Sequence, residues 1–363
     1  METNALITSD TTISFGDSAV CTKCHCLMSP LPEEQDIYIC PKCGNRRCVE
    51  RNRLIQFTGT AMAGYQIIKL IGNGGSSCVY LCKNKNDKSA EKVALKVLHP
   101  TTMLQSDSVK RFQKEAQIAA KLEHPNIVRI YAAGVENENY YIAMEYIDGI
   151  NMNDCLRLHG GVLDEQLILK MAHQITLALK YGWNNYKILH RDIKPANIIH
   201  DKSGNFKLLD FGISKTIKNG FDSTELTQTS QFIGTPHFIS IEQARGNKAI
   251  DCRSDIYSLG TTLYYLLTGK LPFYGNSPLN VLSYVLAGNP TPPEKHNRII
   301  SAPCSHLIKV MMAKNPNDRP ENWDTLLAEI ERVQKSIMPQ TSLAAKTRFP
   351  SPLRLALKTG YWR

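Results

Sequence analysis

The stretch that most limits what this chain can become is His190-Arg191-Asp192-Ile193-Lys194-Pro195-Ala196-Asn197. It is short and polar, and it lies between two apolar pairs, Ile188-Leu189 and Ile198-Ile199. Those pairs read as short strands, so the loop is expected to be held at both ends by buried β structure. A rigid scaffold carrying a loop with an acid, a base and an amide is a common way to build a catalytic site. Asp192 can accept a proton from a hydroxyl, Lys194 can neutralise a phosphate, and Asn197 can offer an oxygen to a hard cation. Eighteen residues after Asp192, Asp210-Phe211-Gly212 adds a second carboxylate in a turn. Each piece taken alone has a plainer reading as part of a solvated loop.

The chain of 363 residues is long enough for two domains, and 42% hydrophobic content supplies a core. No apolar run approaches the roughly 18 residues of a membrane span. The most apolar candidate, residues 256–267, is interrupted by Ser, Gly and Thr and reads as a buried helix. No basic segment followed by an apolar stretch opens the chain, so a cytoplasmic protein is expected. The net charge of +10 allows an acidic partner such as nucleic acid without demanding one. Half of that excess sits in residues 336–363, read as a solvated basic tail.

Six of the eleven cysteines fall within residues 21–48. Without an export signal this clustering points to metal rather than disulfides. Cys21 and Cys24 form one C-x2-C pair and Cys40 and Cys43 a second, 15 residues apart, which is zinc-ribbon spacing. Four thiolates would close a tetrahedral structural site whose binding energy folds a segment too short for a core. Cys26, Cys48 and His25 read as bystanders, with alternate ligation or redox sensing the sharper alternative. Arg46, Arg47, Arg51 and Arg53 follow, either as a solvated linker or as a contact to an acidic surface.

Beyond the cysteines the pattern turns to strands. Residues 65–71 and 79–83 flank a turn, Gly72-Asn73-Gly74-Gly75-Ser76-Ser77-Cys78-Val79, whose glycines let backbone N–H groups approach phosphate oxygens. Residues 93–98 form an apolar strand with one charge, Lys96. A helix over 106–122 would place Glu115 on its apolar face, so an inward Lys96 and an inward Glu115 satisfy each other. Strands are expected to begin at Ile127 and over 140–146, before Asp148-Gly149 turns the chain onward. Asp164 caps a helix over 165–183, and further helices fall at 255–268, 278–287, 303–313 and 321–335. Between Asp210 and Glu242 the chain is rich in hydroxyls, including Ser223, Thr224, Thr227, Thr229 and Ser230. Such long irregular stretches are often switch elements.

In this order the motifs resemble the catalytic core of the protein kinases, and more narrowly the bacterial eukaryotic-like (Hanks-type) serine/threonine kinases. The resemblance covers residues 65–335 and implies an α+β, bilobal kinase fold with a β-rich N-lobe (64–146) and a helical C-lobe (150–336). The whole kinase domain would span 59–336, after a flexible start (1–20) and a zinc ribbon with linker (21–58), and before the basic tail (337–363). It implies that Ile71, the loop 72–79, Ala94, Met144, Glu145 and Ile147 hold ATP, with Val79 on the adenine and the backbone of Glu145 and Ile147 at its edge. Lys96, paired with Glu115, would hold the α- and β-phosphates. Asp192 would be the base, Lys194 would stabilise the γ-phosphoryl, and Asp210 and Asn197 would bind Mg2+, for which Mn2+ can stand in. Lysine at position 194 implies Ser/Thr specificity, with Thr235 of Gly234-Thr235-Pro236 on the substrate side.

The resemblance also implies that Glu242 pairs with Arg319 and that Asp255 anchors the catalytic loop. Leu226-Thr227-Gln228-Thr229 resembles an autophosphorylated patch, and a phosphate on Thr227 or Thr229 could pair with Arg191 to order the loop. Protein substrates are the implied partners, and a kinase homodimer for trans-autophosphorylation is a further one that the sequence leaves open. Two departures stand out: Ser77 replaces a glycine, and Ile241 replaces the proline of an A-P-E motif. They leave open a nucleotide-binding scaffold without turnover. The cysteine segment leaves open a kinase directed to nucleic acid by its ribbon.

Overall fold

A computed structural model describes residues 59–73, 77–85, 91–98, 116–137, 139–211, 236–247 and 249–337, together with three short strands nearer the N-terminus. The chain divides into two compact units, Met1–Ala61 and Met62–Arg363. In the first, β1 (Ser29–Pro30), β2 (Ile37–Ile39) and β3 (Arg46–Cys48) form an antiparallel sheet in sequence order. Ser29 faces Ile39, and Ile39 faces Arg46. Cys40 and Cys43 therefore belong to the six-residue connection of a β2–β3 hairpin, and Cys21 and Cys24 precede β1. All four cysteines lie outside the described residues, as do Gly74, Gly75, Ser76, Glu115, Thr227, Thr229, Thr235 and the tail from 338.

The second unit opens with a six-stranded antiparallel sheet, β4 (Ala61–Met62), β5 (Tyr65–Asn73), β6 (Ser77–Asn84), β7 (Lys92–Leu98), β8 (Ile130–Glu136) and β9 (Asn139–Glu145), ordered β4-β5-β6-β7-β9-β8. Central strand β7 is buried on both faces except at its first residue and Lys96, which is why it reads as a continuous apolar run. Antiparallel partners share a face, so Val79, Ala94, Lys96, Ile142 and Met144 line one side. The strand expected to begin at Ile127 begins instead at Ile130. Ile127 makes an isolated parallel bridge to Leu208, which draws residues 126–128 away from the sheet.

The remaining chain is mainly helical. A small sheet of β10 (Gly149–Asn151), β11 (Ile198–Asp201) and β12 (Phe206–Leu208) carries the polar loop. The pair Ile188-Leu189 is not a strand. Helix α2 (Glu165–Tyr186), which follows α1 (Met152–Leu158), ends at Lys187 in a left-handed conformation, and Ile188 donates back to the Gly182 carbonyl. That closing turn leaves the pair no neighbouring strand. Asp164 caps α2 as expected, accepting from Leu167 N–H at 3.0 Å, an interaction of about 1 kcal/mol.

Helices α3 (Ile241–Ala244), α4 (Cys252–Thr268), α5 (Pro278–Ala287), α6 (Pro293–His296), α7 (Ala302–Met311) and α8 (Trp323–Ile337) follow. The core centres on α2 and α4. Helix α4 is buried nearly all round, and three of its hydroxyls are satisfied within it: Thr261, Thr262 and Thr268 donate to the carbonyls four residues back. Gly260 is required where α4 meets α7, because a Cβ there would lie 2.8 Å from the Met311 Cβ. Among the described residues no helix is long and apolar enough to cross a membrane.

Candidate active site

The polar loop is fixed from beneath by one carboxylate. Asp255, wholly buried on α4, accepts from His190 N–H at 2.7 Å and from Arg191 N–H at 2.8 Å. Burial pushes the Asp255 carboxyl up from its ordinary value, and His190, Arg191 and the two N–H donors oppose that rise. His190 is also buried; its Nε2 meets the Leu209 carbonyl at 2.7 Å while Nδ1 takes the Asp192 N–H at 3.2 Å. In this arrangement Nε2 donates to the Leu209 carbonyl and Nδ1 accepts from the Asp192 N–H. The ring packs edge-on against Phe211, and Phe211 lies so close to α2 that a Cβ on Gly182 would fall 2.3 Å from its Cζ.

On this base the polar side chains converge. Lys194 Nζ lies 2.9 Å from Asp192 Oδ2. Asn197 Nδ2 donates to the Asp192 carbonyl at 2.8 Å and to Oδ2 at 3.1 Å. Lys96 reaches across from β7 to within 2.6 Å of Asp210 Oδ2, with the two side chains 12% and 20% exposed. The described partner of Lys96 is Asp210; the expected partner Glu115 lies outside the described residues. Arg191 and Asp210 both adopt left-handed backbone, φ 64° and 55°. For residues other than glycine this costs about 1–3 kcal/mol, and it persists where neighbours fix the geometry. Arg191 is fixed by Asp255 below and by Gln243, whose Nε2 donates to the Arg191 carbonyl at 2.9 Å.

Above the loop, Val79, Ala94, Lys96 and Met144 share the sheet face just described, and Ile71, Val79, Ile147 and Leu209 pack against the apolar cluster around Ala94 and Met144. Gly72 pairs with Val79 and Asn73 with Cys78, so the glycine turn is closed at its base. Cys78, expected among the nucleotide contacts, turns its side chain to the opposite face, where it is buried with Sγ 3.3 Å from Asn73 Oδ1. Strand alternation sets that direction. Ser77 is buried at the start of β6.

Further along, Ser240 caps α3 in a reciprocal box with Gln243, so Ile241 occupies a first helical turn whose cap does not need proline. Arg319, with a fully buried side chain, lies 2.9 Å from Glu242 and donates to the carbonyls of Arg253, Ala313 and Lys314. Three contributors were not singled out from sequence: Leu209, Gln243 and Lys207. The only sequence signal for Lys207 is a lone charge in the apolar stretch 206–209.

A two-lobed scaffold thus brings a partly buried lysine from the sheet to the carboxylates of the loop and of the turn after β12. The protein kinase domain family matches residues 65–329, and the chain belongs to that family. It is 37% identical over 268 residues to serine/threonine-protein kinase PrkC of Bacillus subtilis, covering 74% of this chain and 40% of that protein. It is 37% identical over 280 residues to serine/threonine-protein kinase PknB of Mycobacterium leprae, covering 76% of this chain and 44% of that one. The chain thus spans less than half the length of these relatives. Among solved structures it resembles the Mycobacterium tuberculosis PknI kinase domain, with TM-score 0.62 and 26% identity, over 77% of this chain and 98% of that one.

Proposed function

We propose that this chain is a serine/threonine protein kinase that transfers the γ-phosphoryl of ATP to protein hydroxyls. The observation that carries the reading is the convergence of Asp192, Lys194 and Asn197 in one bonded cluster, with Lys96 drawn to Asp210 beside it. In that role Asp192 orients the acceptor hydroxyl and takes its proton. Lys194, held beside Asp192, offsets negative charge on the transferred group. Ile71, Val79, Ala94, Met144 and Ile147 supply an apolar bed for the base, and Lys96 holds the phosphates. The names of the Bacillus and Mycobacterium relatives support Ser/Thr acceptors.

The donor set also suits Mg2+. Asp210 and Asn197 offer hard oxygens, and because both Asn197 hydrogen bonds leave from Nδ2, its amide oxygen is turned away from Asp192. When bound, the ion would neutralise charge on the phosphates. Arg191 and the hydroxyls at Thr227 and Thr229 form the regulatory part of the reading, and Thr235 the substrate-side part. Mass spectrometry after incubation with Mg-ATP tests it: phosphate on Ser or Thr, including segment 223–230, is expected. Phosphate only on tyrosine would overturn the acceptor class.

We read residues 21–48 as a structural zinc ribbon. The support is the strand pairing: β2 and β3 pair on either side of the sequence segment that holds Cys40 and Cys43, and β1 follows Cys21 and Cys24 in the chain. Elemental analysis should find one zinc per chain, reduced in Cys40→Ser; absence of zinc from protein purified without chelator would remove this part.

A further inference from the structure

One half-buried ion pair ties the end of β9 to the strand that leads to Asp210. Glu145 closes β9. Its carboxylate accepts from Lys207 Nζ through both oxygens, at 2.7 and 2.9 Å, and from Arg129 N–H at 3.2 Å. Its own N–H donates to the Arg129 carbonyl at 2.8 Å. Lys207 is the middle residue of β12, three before Asp210, and the two side chains are only 18% and 27% exposed. That strand is held firmly: Phe206 N–H donates to Gln174 at 2.7 Å, Leu208 exchanges backbone bonds with Asn126 and Val128, and Ile199 pairs with Lys207. Asn126 adds a bond to the Phe206 carbonyl at 2.8 Å. Leu209, the next residue, donates to the Asn197 carbonyl and packs against the Ala94–Met144 cluster.

We propose that Lys207 is a positioning residue for nucleotide binding: by clamping the Glu145 carboxylate it fixes the backbone of residues 145–147 relative to β12 and Asp210. The backbone of Glu145 pairs with Val93 in the sheet and bonds to Arg129, and the half-buried bidentate ion pair to Lys207 adds the tie to β12 that those bonds do not supply. The base end of ATP is read at 145–147, so the loss of the clamp should weaken adenosine recognition and leave the phosphate-handling cluster intact.

The test uses the full chain and its Lys207→Met, Lys207→Arg and Glu145→Gln variants. KM for ATP and kcat are measured alongside adenosine affinity and inhibition by inorganic tripolyphosphate. Lys207→Met should raise KM for ATP and the adenosine Kd about tenfold, as expected for a lost charged hydrogen bond. Its kcat should stay within about twofold and tripolyphosphate inhibition should be unchanged. Lys207→Arg should restore most of the affinity, and combining Lys207→Met with Glu145→Gln should be no worse than either alone. Unchanged KM, or a fall in kcat at constant KM, overturns the proposal. If Lys207→Met does not fold, Glu145→Gln decides it, because unchanged adenosine affinity in that variant also overturns it. The inference rests on reading 144–147 as the base-binding edge; wild-type protein that binds no adenosine would sink that reading, whereas wild-type binding with indifferent variants sinks only the role of Lys207.

Discussion

Lys96 Nζ lies 2.6 Å from Asp210 Oδ2, although the two residues are 114 positions apart and belong to different lobes. The pair sits where the sheet face of β7 meets the turn after β12, and it holds a cation and a carboxylate at the mouth of the junction. Replacing Lys96 by Met removes the charge and keeps the aliphatic stem that packs on the sheet. We expect phosphotransfer to fall by about 10²–10³-fold, the scale of one lost electrostatic donor, with the circular-dichroism spectrum unchanged. Activity within twofold of wild type would mean that Lys96 serves only as the ion-pair partner of Asp210.

Asp255 is expected to hold both fold and catalysis. An Asn at that position keeps one acceptor and places an NH2 against the second backbone N–H, leaving a buried donor without an acceptor. Asp255→Asn should therefore lose about 1–3 kcal/mol in urea unfolding and also lower kcat, since Arg191 is no longer held in its left-handed conformation. A stable, fully active variant would remove the anchoring role.

Much of this was legible in the chain, for identifiable reasons. The loop at 190–197 could be read because its chemistry is carried by side chains in a short fixed order. Helix α4 could be read because its threonine hydroxyls at Thr261, Thr262 and Thr268 bond to its own carbonyls and so fit an otherwise apolar run. The Asp164 cap was local as well. What could not be read depends on partners distant in sequence. Lys207 acquires a meaning only from Glu145, 62 residues earlier, and Gln243 only from the Arg191 carbonyl, 52 residues earlier. The face taken by Cys78 follows from strand pairing, which a loop motif does not encode. Ile188-Leu189 looked like a strand by composition, but the left-handed Lys187 closes the helix onto it instead.

Arg319 and Glu242 form a buried pair in which the arginine side chain is fully enclosed and its guanidinium stacks over Tyr257 at 4.9 Å. Breaking such a pair from one side strands the other charge, so Arg319→Met should cost about 3–5 kcal/mol, read as a lower urea midpoint. The double variant Arg319→Met with Glu242→Met should recover part of that loss. A single variant as stable as wild type would contradict the pairing.

His200 stacks on Phe206 with ring centroids 4.5 Å apart, and burial holds its imidazole below the ordinary histidine range. The folded chain therefore keeps His200 neutral at a pH where the unfolded chain protonates it. Its contribution to stability is complete above about pH 6.5, the unfolded value, and declines as pH falls below it. Unfolding free energies of wild type and His200→Gln should differ most near pH 8 and converge toward pH 5. A gap that widens on acidification would reverse the assigned sign.

The most direct test of the central claim is γ-phosphoryl transfer from Mg-ATP by the full chain and by Asp192→Asn, measured side by side. Asn keeps the size of the side chain and removes the base. Labelling of Ser or Thr by the wild type is expected, with a rate lower by about 10²–10⁴-fold in the variant. Equal labelling by the two proteins, or none by the wild type, would contradict it.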